Sequence, residues 1–205
     1  MLEALTGTGL AAAAGLNAYV PLVVVGLLGR YTDLITLPAA WHWLENGWAL
    51  AILVVLLAVE TTADKIPVVD HINDVIGTAV RPTAGGLAFS ATAGAPAVAM
   101  SDPAALSDWR TLLPLAAGAF VALVVHGFKA MARPVANLAT GGFAAPVVST
   151  GEDGASVVMS VVAILAPILV LLLLGVMAAV GWRLWRRRAR RKALREAPAD
   201  ARTPT

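Results

Sequence analysis

The chain has 205 residues, 59% hydrophobic and only 14% charged, with a mean hydropathy of +0.78. Soluble domains carry about 25% charged residues, so this composition excludes an ordinary water-soluble globule and indicates an integral membrane protein. The absence of cysteine excludes disulfides, thiolate metal sites, cysteine nucleophiles and thiol lipidation.

A net charge of +2 conceals a strong asymmetry, because residues 183–205 hold nine Lys or Arg against two acids while the rest hold six against eleven. The block Arg183, Arg186, Arg187, Arg188, Arg190, Arg191, Lys192 directly follows the last apolar run. By the positive-inside rule it sets that end in the cytoplasm, and it reads as a topology signal touching anionic lipid headgroups rather than nucleic acid. Apolar runs of spanning length without short alternating segments predict an all-α, polytopic membrane helix bundle. About five spanning helices are expected, with short amphipathic or re-entrant segments. Residues 1–182 would form one membrane-embedded domain and residues 183–205 a basic tail, disordered from Ala197. The opening MLEALTGTGL lacks a basic n-region, so the first apolar segment is expected to be a retained helix.

In chain order, residues 9–29 predict the first span, small-residue in its early half and kinked at Pro21. Asn17 is its one strong polar group, a packing hydrogen bond or a ligand contact. A loop over 30–46 ends in Trp41, His42 and Trp43, an aromatic cluster of the kind that anchors a segment at headgroup level. The second span starts near Gly47, but Trp48–Val59 is too short to cross a bilayer, which takes about 20 residues. It must therefore carry Glu60, and with it Asp64 and Lys65, to membrane depth or its border. A charge at mid-bilayer costs roughly 2.5–3.5 kcal/mol, so such groups face a protein interior or a wet cavity.

Pro67 marks a break, and Val68, Val69, Ile72, Val75, Ile76, Ala79 and Val80 then recur at helical spacing opposite Asp70, Asp74 and Arg81. This predicts a short amphipathic helix over 68–81, lying in the interface or dipping in as a re-entrant element. Residues 83–100 predict a third span and Thr111 to Ala132 a fourth. His126, Lys129 and Arg133 share one face of the latter. After Pro134 a Gly-rich irregular segment with Asn137, Ser149, Glu152 and Asp153 is expected, then a final helix over 155–182.

Self-comparison aligns ADKIPVVD at 63–70 with AMARPVAN at 130–137, suggesting repeats over 9–82 and 86–153. The first half contributes mainly acids and the second mainly bases. Glu60, Asp64, Asp70 and Asp74 are the candidates to bind a proton or cation. Lys65, Arg81, His126, Lys129 and Arg133 are the candidates to pair with them or bind an anion, with Asn17 and Asn137 as polar support. A structural ion-pair network is the competing reading. No cofactor is expected, and whether a metal binds is open. Membrane lipids are the expected partners, with a small solute or ion; a second copy of the chain is also allowed and nucleic acid is not expected.

The set GLAAAAGLNAYVPL, then Glu60, Asp64, Lys65, Ile66, Pro67, Asp70 and Asp74, then Arg81, Pro82, Gly85 and Gly86, resembles the bacterial membrane family labelled domain of unknown function 4126, over about residues 5–180. The resemblance implies a multi-pass protein of the bacterial cytoplasmic (inner) membrane, and no activity. A small transporter or permease is the leading expectation, with a structural or assembly protein as the alternative. A metal-dependent enzyme acting on phosphorylated lipid ranks below both, since the chain has no CDP-alcohol transferase motif, no HExxH and no GxSxG.

Overall fold

The computed structural model describes residues 1–95, 108–140 and 145–196; within its helices some side chains, among them those of Asp70 and Asn137, lie outside the description. The described residues form seven α-helices and one 3-10 helix, without strands. The α-helices are α1 (Leu2–Leu16), α2 (Tyr19–Tyr31), α3 (Gly47–Ala63), α4 (Pro67–Thr92), α5 (Trp109–Thr140), α6 (Ala145–Leu165) and α7 (Leu169–Glu196), and the 3-10 helix is Ala39–Glu45. The tail from Ala197 and the end of the predicted third span, residues 96–100, fall outside the described residues.

The first helix is the axis of the bundle. From Gly7 onward every residue of α1 except Thr8 is buried, and α4, α5, α6, α7 and α2 all pack on it. Its Gly and Ala side chains permit this crowding, because a helix with almost no side-chain volume accepts neighbours at short range on every face. A methyl on Gly9 would lie 2.6 Å from Ala163 Cβ, and one on Gly15 would lie 2.5 Å from the Ala122 carbonyl oxygen. On α4, a methyl on Gly85 would meet Ala122 Cβ at 2.5 Å and the Gly118 carbonyl oxygen at 2.9 Å.

The predicted first span is interrupted four residues before Pro21. Asn17 is extended (φ −142°, ψ 123°), and its N–H closes α1 by donating to Ala13 O at 3.0 Å. Its carboxamide oxygen opens α2 by accepting from Tyr19 N–H at 3.1 Å and Val20 N–H at 3.2 Å. Asn suits this place because a short side-chain acceptor satisfies first-turn donors. Pro21 then falls in the first turn of α2, where its missing N–H breaks no helical hydrogen bond.

Further on, Asn46 caps α3 by accepting from Trp48 N–H at 2.9 Å, and the preceding 3-10 helix meets α3 at 59°. Ile66 is extended, as a residue before proline prefers, and Pro67 starts α4 as expected. Beyond this the structure departs from the sequence reading. The amphipathic helix over 68–81 and the first part of the predicted third span are one helix, α4, running through Pro82. Contacts of Gly85, Gly86 and Ala88 with α1 and α5 hold its far half in line. Likewise α5 continues past Pro134 to Thr140, and Ser149, Glu152 and Asp153 lie on α6 rather than in an irregular segment. The predicted helix over 155–182 is divided at Ala166–Ile168, around Pro167.

Two described helical stretches are long and apolar enough to cross a membrane, Trp109–Met131 and Pro146–Leu165, or three with the bent pair Ala39–Glu45 and Gly47–Ala63. The segments aligned as repeats differ locally, since Pro67 opens a helix and Pro134 lies inside one. Ile52, Val54, Val55, Leu56 and Val59 on α3, and Leu171, Leu172 and Val176 on α7, are exposed. Apolar faces of this kind suit contact with lipid tails.

Because Gly85 abuts both Gly118 and Ala122, Gly85→Val is expected to destabilise the bundle by about 1–3 kcal/mol. Thermal denaturation in detergent checks this; an unchanged melting temperature would contradict the packing described.

Candidate functional site

The cluster is built at the α1–α2 interruption by residues from five further positions in the chain. Glu60 lies in the last turn of α3, Asp64 directly follows that helix, Asp74 and Arg81 lie on α4, His126, Lys129 and Arg133 on α5, and Glu152 and Asp153 on α6. Arg81 is fully buried and Asp64 is 1% exposed. The spacing of His126, Lys129 and Arg133 turns all three toward α4 and the end of α3, as one helical face should.

Asp64 is the hub. Its Oδ2 lies 3.0 Å from Lys129 Nζ, 3.0 Å from Arg133 Nη2 and 3.5 Å from Arg81 Nη2, while its Oδ1 accepts from Asn73 Nδ2 at 2.6 Å. Burial works against its ionised form, and Lys129, Arg133 and the Asn73 hydrogen bond compensate that cost. Burial opposes the charge of Arg133 in the same way, and Glu152 and Asp64 compensate it. Arg133 Nη2 donates to Glu152 Oε2 at 2.6 Å, and Lys129 Nζ lies 3.1 Å from the same oxygen.

Glu60 makes a second centre. Its Oε1 accepts from Arg81 Nε at 3.2 Å and Nη2 at 3.1 Å, and its Oε2 accepts from Ala18 N–H at 3.1 Å. Arg81 Nη1 lies 3.3 Å from Asp74 Oδ1 and 2.7 Å from His126 Nδ1. An arginine nitrogen has only protons to offer, so His126 Nδ1 is the acceptor and the ring is neutral in this arrangement.

The broken helix takes part directly. The free N–H of Ala18, at the start of α2, meets the Glu60 carboxylate, and the free Leu16 carbonyl, at the end of α1, accepts from Lys129 Nζ at 2.8 Å. An anion thus sits at a helix N-terminus and a cation at a helix C-terminus, the favourable sign at both ends. Asn17 ties the break to α6, its Nδ2 donating to Asp153 Oδ1 at 2.8 Å. Lys65 stands at the rim, 38% exposed, with Nζ 4.0 Å from Asp153 Oδ2.

Three of the cavities among the described residues, of about 480, 360 and 250 Å³, lie elsewhere. The largest is lined by Leu2, Glu3, Ile35, Pro38, Ala91 and Pro167, beside the opposite end of α1. The second is an apolar groove between Tyr19, Trp43, Leu53 and Val80. No group of three His, Cys, Asp or Glu suited to a metal ion occurs among the described residues.

The sequence model of the family described as domain of unknown function (DUF4126) matches residues 4–187, a stretch that includes every residue of the cluster. The chain belongs to this family. No curated protein and no solved structure matches it. The DUF4126 match covers the helices that build the site and ends within the basic part of α7.

Of the residues singled out in this DUF4126 chain, Glu60, Asp64, Asp74, Arg81, His126, Lys129, Arg133 and Asn17 come together in one buried cluster, and Lys65 reaches its edge. Asp70 and Asn137 cannot be placed in it, their side chains being outside the description. Sequence reasoning missed the part played by Glu152 and Asp153, along with Asn73 and Thr78. A signal was present: Ser149, Glu152, Ser156 and Ser160 recur at spacings of three and four, the mark of one helical face. Ser149, Ser156 and Ser160 are buried, and Ser156 Oγ donates to Ala13 O at 2.9 Å.

Asp64→Asn would leave Arg81, Lys129 and Arg133 one buried anion short. The expected loss is about 3–5 kcal/mol, the usual result of breaking a buried ion pair from one side. It would appear as a lower melting temperature in detergent, and a wild-type melting curve would contradict the hub assignment.

Proposed function

We propose that the protein is a small multi-pass transporter whose working site is the acid–base cluster at the α1–α2 break. The observation that carries this reading is the pair of helix ends, with Glu60 on the start of α2 and Lys129 on the end of α1. Transporter sites are often formed by interrupted helices, whose N-terminal ends face anionic groups and whose free carbonyls face cations. Intramembrane ionisable residues are costly to keep in a bilayer, and they usually mark ion, solute or proton pathways. In this reading Glu60, Asp64 and Asp74 handle a proton or cation, and Lys129 and Arg133 meet an anionic solute. With α1 and α2 counted once and the bent pair counted once, the helices give six segments, of which about five are proposed to cross the membrane. The protein would lie in the bacterial inner membrane with the basic end of α7 in the cytoplasm.

A structural role is the second reading, favoured by the pairing within the cluster. Glu60 already accepts three hydrogen bonds, and Asp64 is bracketed by three cations. On that reading the charges fasten α3, α4, α5 and α6 around the broken helix and move nothing.

The two readings diverge in proteoliposomes loaded with a pH dye and offered inorganic phosphate or small carboxylates. The transport reading expects solute-dependent internal pH changes, reduced about tenfold or more in Glu60→Gln, the effect of losing about 1.4 kcal/mol. Folding of the variant is checked by its melting temperature. Absence of solute-dependent flux in wild type, or unchanged flux in the folded variant, would reject it.

A further inference from the structure

Counting the described residues, the cluster holds five carboxylates, Glu60, Asp64, Asp74, Glu152 and Asp153, against four cations, Lys65, Arg81, Lys129 and Arg133. Among the described residues the carboxylates thus exceed the cations by one, in a setting where excess charge is costly. His126 is 4% exposed and has a lone pair aimed into the same cluster. Nδ1 accepts from Arg81 Nη1 at 2.7 Å, so Nε2 carries the ring proton and faces Thr78 Oγ1 at 3.3 Å. The Thr78 hydroxyl in turn donates to Asp74 O at 2.9 Å.

We propose that His126 is a proton-binding site of the cluster, alongside its carboxylates, taking a proton from the aqueous phase at Nδ1 and leaving Arg81 Nη1 to Asp74 alone. No bond other than N–H forms. The Nδ1 lone pair accepts the proton, the ring becomes an imidazolium, and the described cluster reaches charge balance. Once Nδ1 is a donor it can no longer accept from Arg81, so the Arg81–His126 contact must open. Asp74 Oδ1 already accepts from the same Nη1 at 3.3 Å and remains its partner when the ring lets go. Asp74 is also the most exposed of the five carboxylates, at 20% against 17% for Asp153, 13% for Glu152, 6% for Glu60 and 1% for Asp64.

Among the described residues, the charged groups facing this ring are Arg81 and Asp74 from α4 and Lys129 from its own helix. Behind them stand Glu60 and Asp64 from α3, reached through Arg81, and Glu152 from α6, reached through Lys129. Arg81 and Lys129 oppose a charge on the ring and the carboxylates favour it, so the excess of carboxylates is what makes a bound proton tolerable. The inference deepens the transport reading by making the proton the coupling ion, yet the site itself is tested without transport.

The full chain carrying His42→Gln and His71→Gln retains His126 as its single histidine, and its nitrogens are followed by ¹⁵N NMR in nanodiscs across about pH 5–8, the range in which histidine ordinarily changes charge. The expected result is a neutral ring protonated at Nε2 at the alkaline end, converting to imidazolium in one step, with the midpoint moved to lower pH in Asp74→Asn. A ring protonated at Nδ1 at the alkaline end, or no titration over the range, would overturn the proposal. In proteoliposomes His126→Gln, whose carbonyl can still accept from Arg81, is expected to flatten the pH profile of flux. Titration without any flux would leave the proton site standing and remove the transport reading. Flux with an unaltered pH profile in His126→Gln would overturn the proton site and leave transport intact.

Discussion

A single carboxylate, Asp64, is surrounded by Lys129, Arg133 and Arg81 in the middle of an apolar bundle, and the arrangement of the helices around it follows from that. Three cations cannot be buried among hydrocarbon unless anions accompany them, and removing one partner exposes the rest to the full cost of desolvation. The residues that supply the compensation come from distant parts of the chain: Glu60 from α3, Asp74 from α4 and Glu152 from α6. The cluster therefore fixes which helix ends must meet. Hydrophobic burial cannot do this alone, because lipid tails are as apolar as the helix faces they replace.

The small residues of α1 work with this constraint. A helix of Gly and Ala lets α4, α5 and α6 come close enough for short ionic side chains to reach one another. Its interruption at Asn17 supplies a free N–H and a free carbonyl where Glu60 and Lys129 need them. Backbone and side chains thus share the electrostatic burden. Neither the broken helix nor the cluster would be satisfied without the other, since unpaired backbone groups are as costly as unpaired charges in such surroundings.

Much of this was legible in the sequence, and the reason is physical. Acids stranded at the end of an apolar run too short to span had to find shelter, and three basic or titratable groups on one face of α5 were the available partners. What the sequence concealed was continuity. The helix expected to end at Arg81 and the one expected to end near Pro134 both continue, and beyond Pro82 the packing of Gly85 and Gly86 on neighbouring helices outweighs the loss of one backbone hydrogen bond. The true break at Asn17 carries no proline, and its signal was a polar residue with cap chemistry inside an apolar run. Glycines 151 and 154 made residues 145–154 look irregular, which hid the helical spacing of Ser149, Glu152 and Ser156. Membership of the DUF4126 family agrees with the motif from Glu60 to Gly86 but brings no chemistry with it.

The central claim is that acids and bases from separate helices are energetically coupled through Asp64. A double-mutant cycle in detergent, with Asp64→Asn, Lys129→Met and the two combined, measures that coupling by thermal denaturation. The account predicts that the combined variant is less destabilised than the two single losses added together, by roughly 0.5–3 kcal/mol. Simple additivity would mean that the two side chains do not depend on each other, and the account would fail.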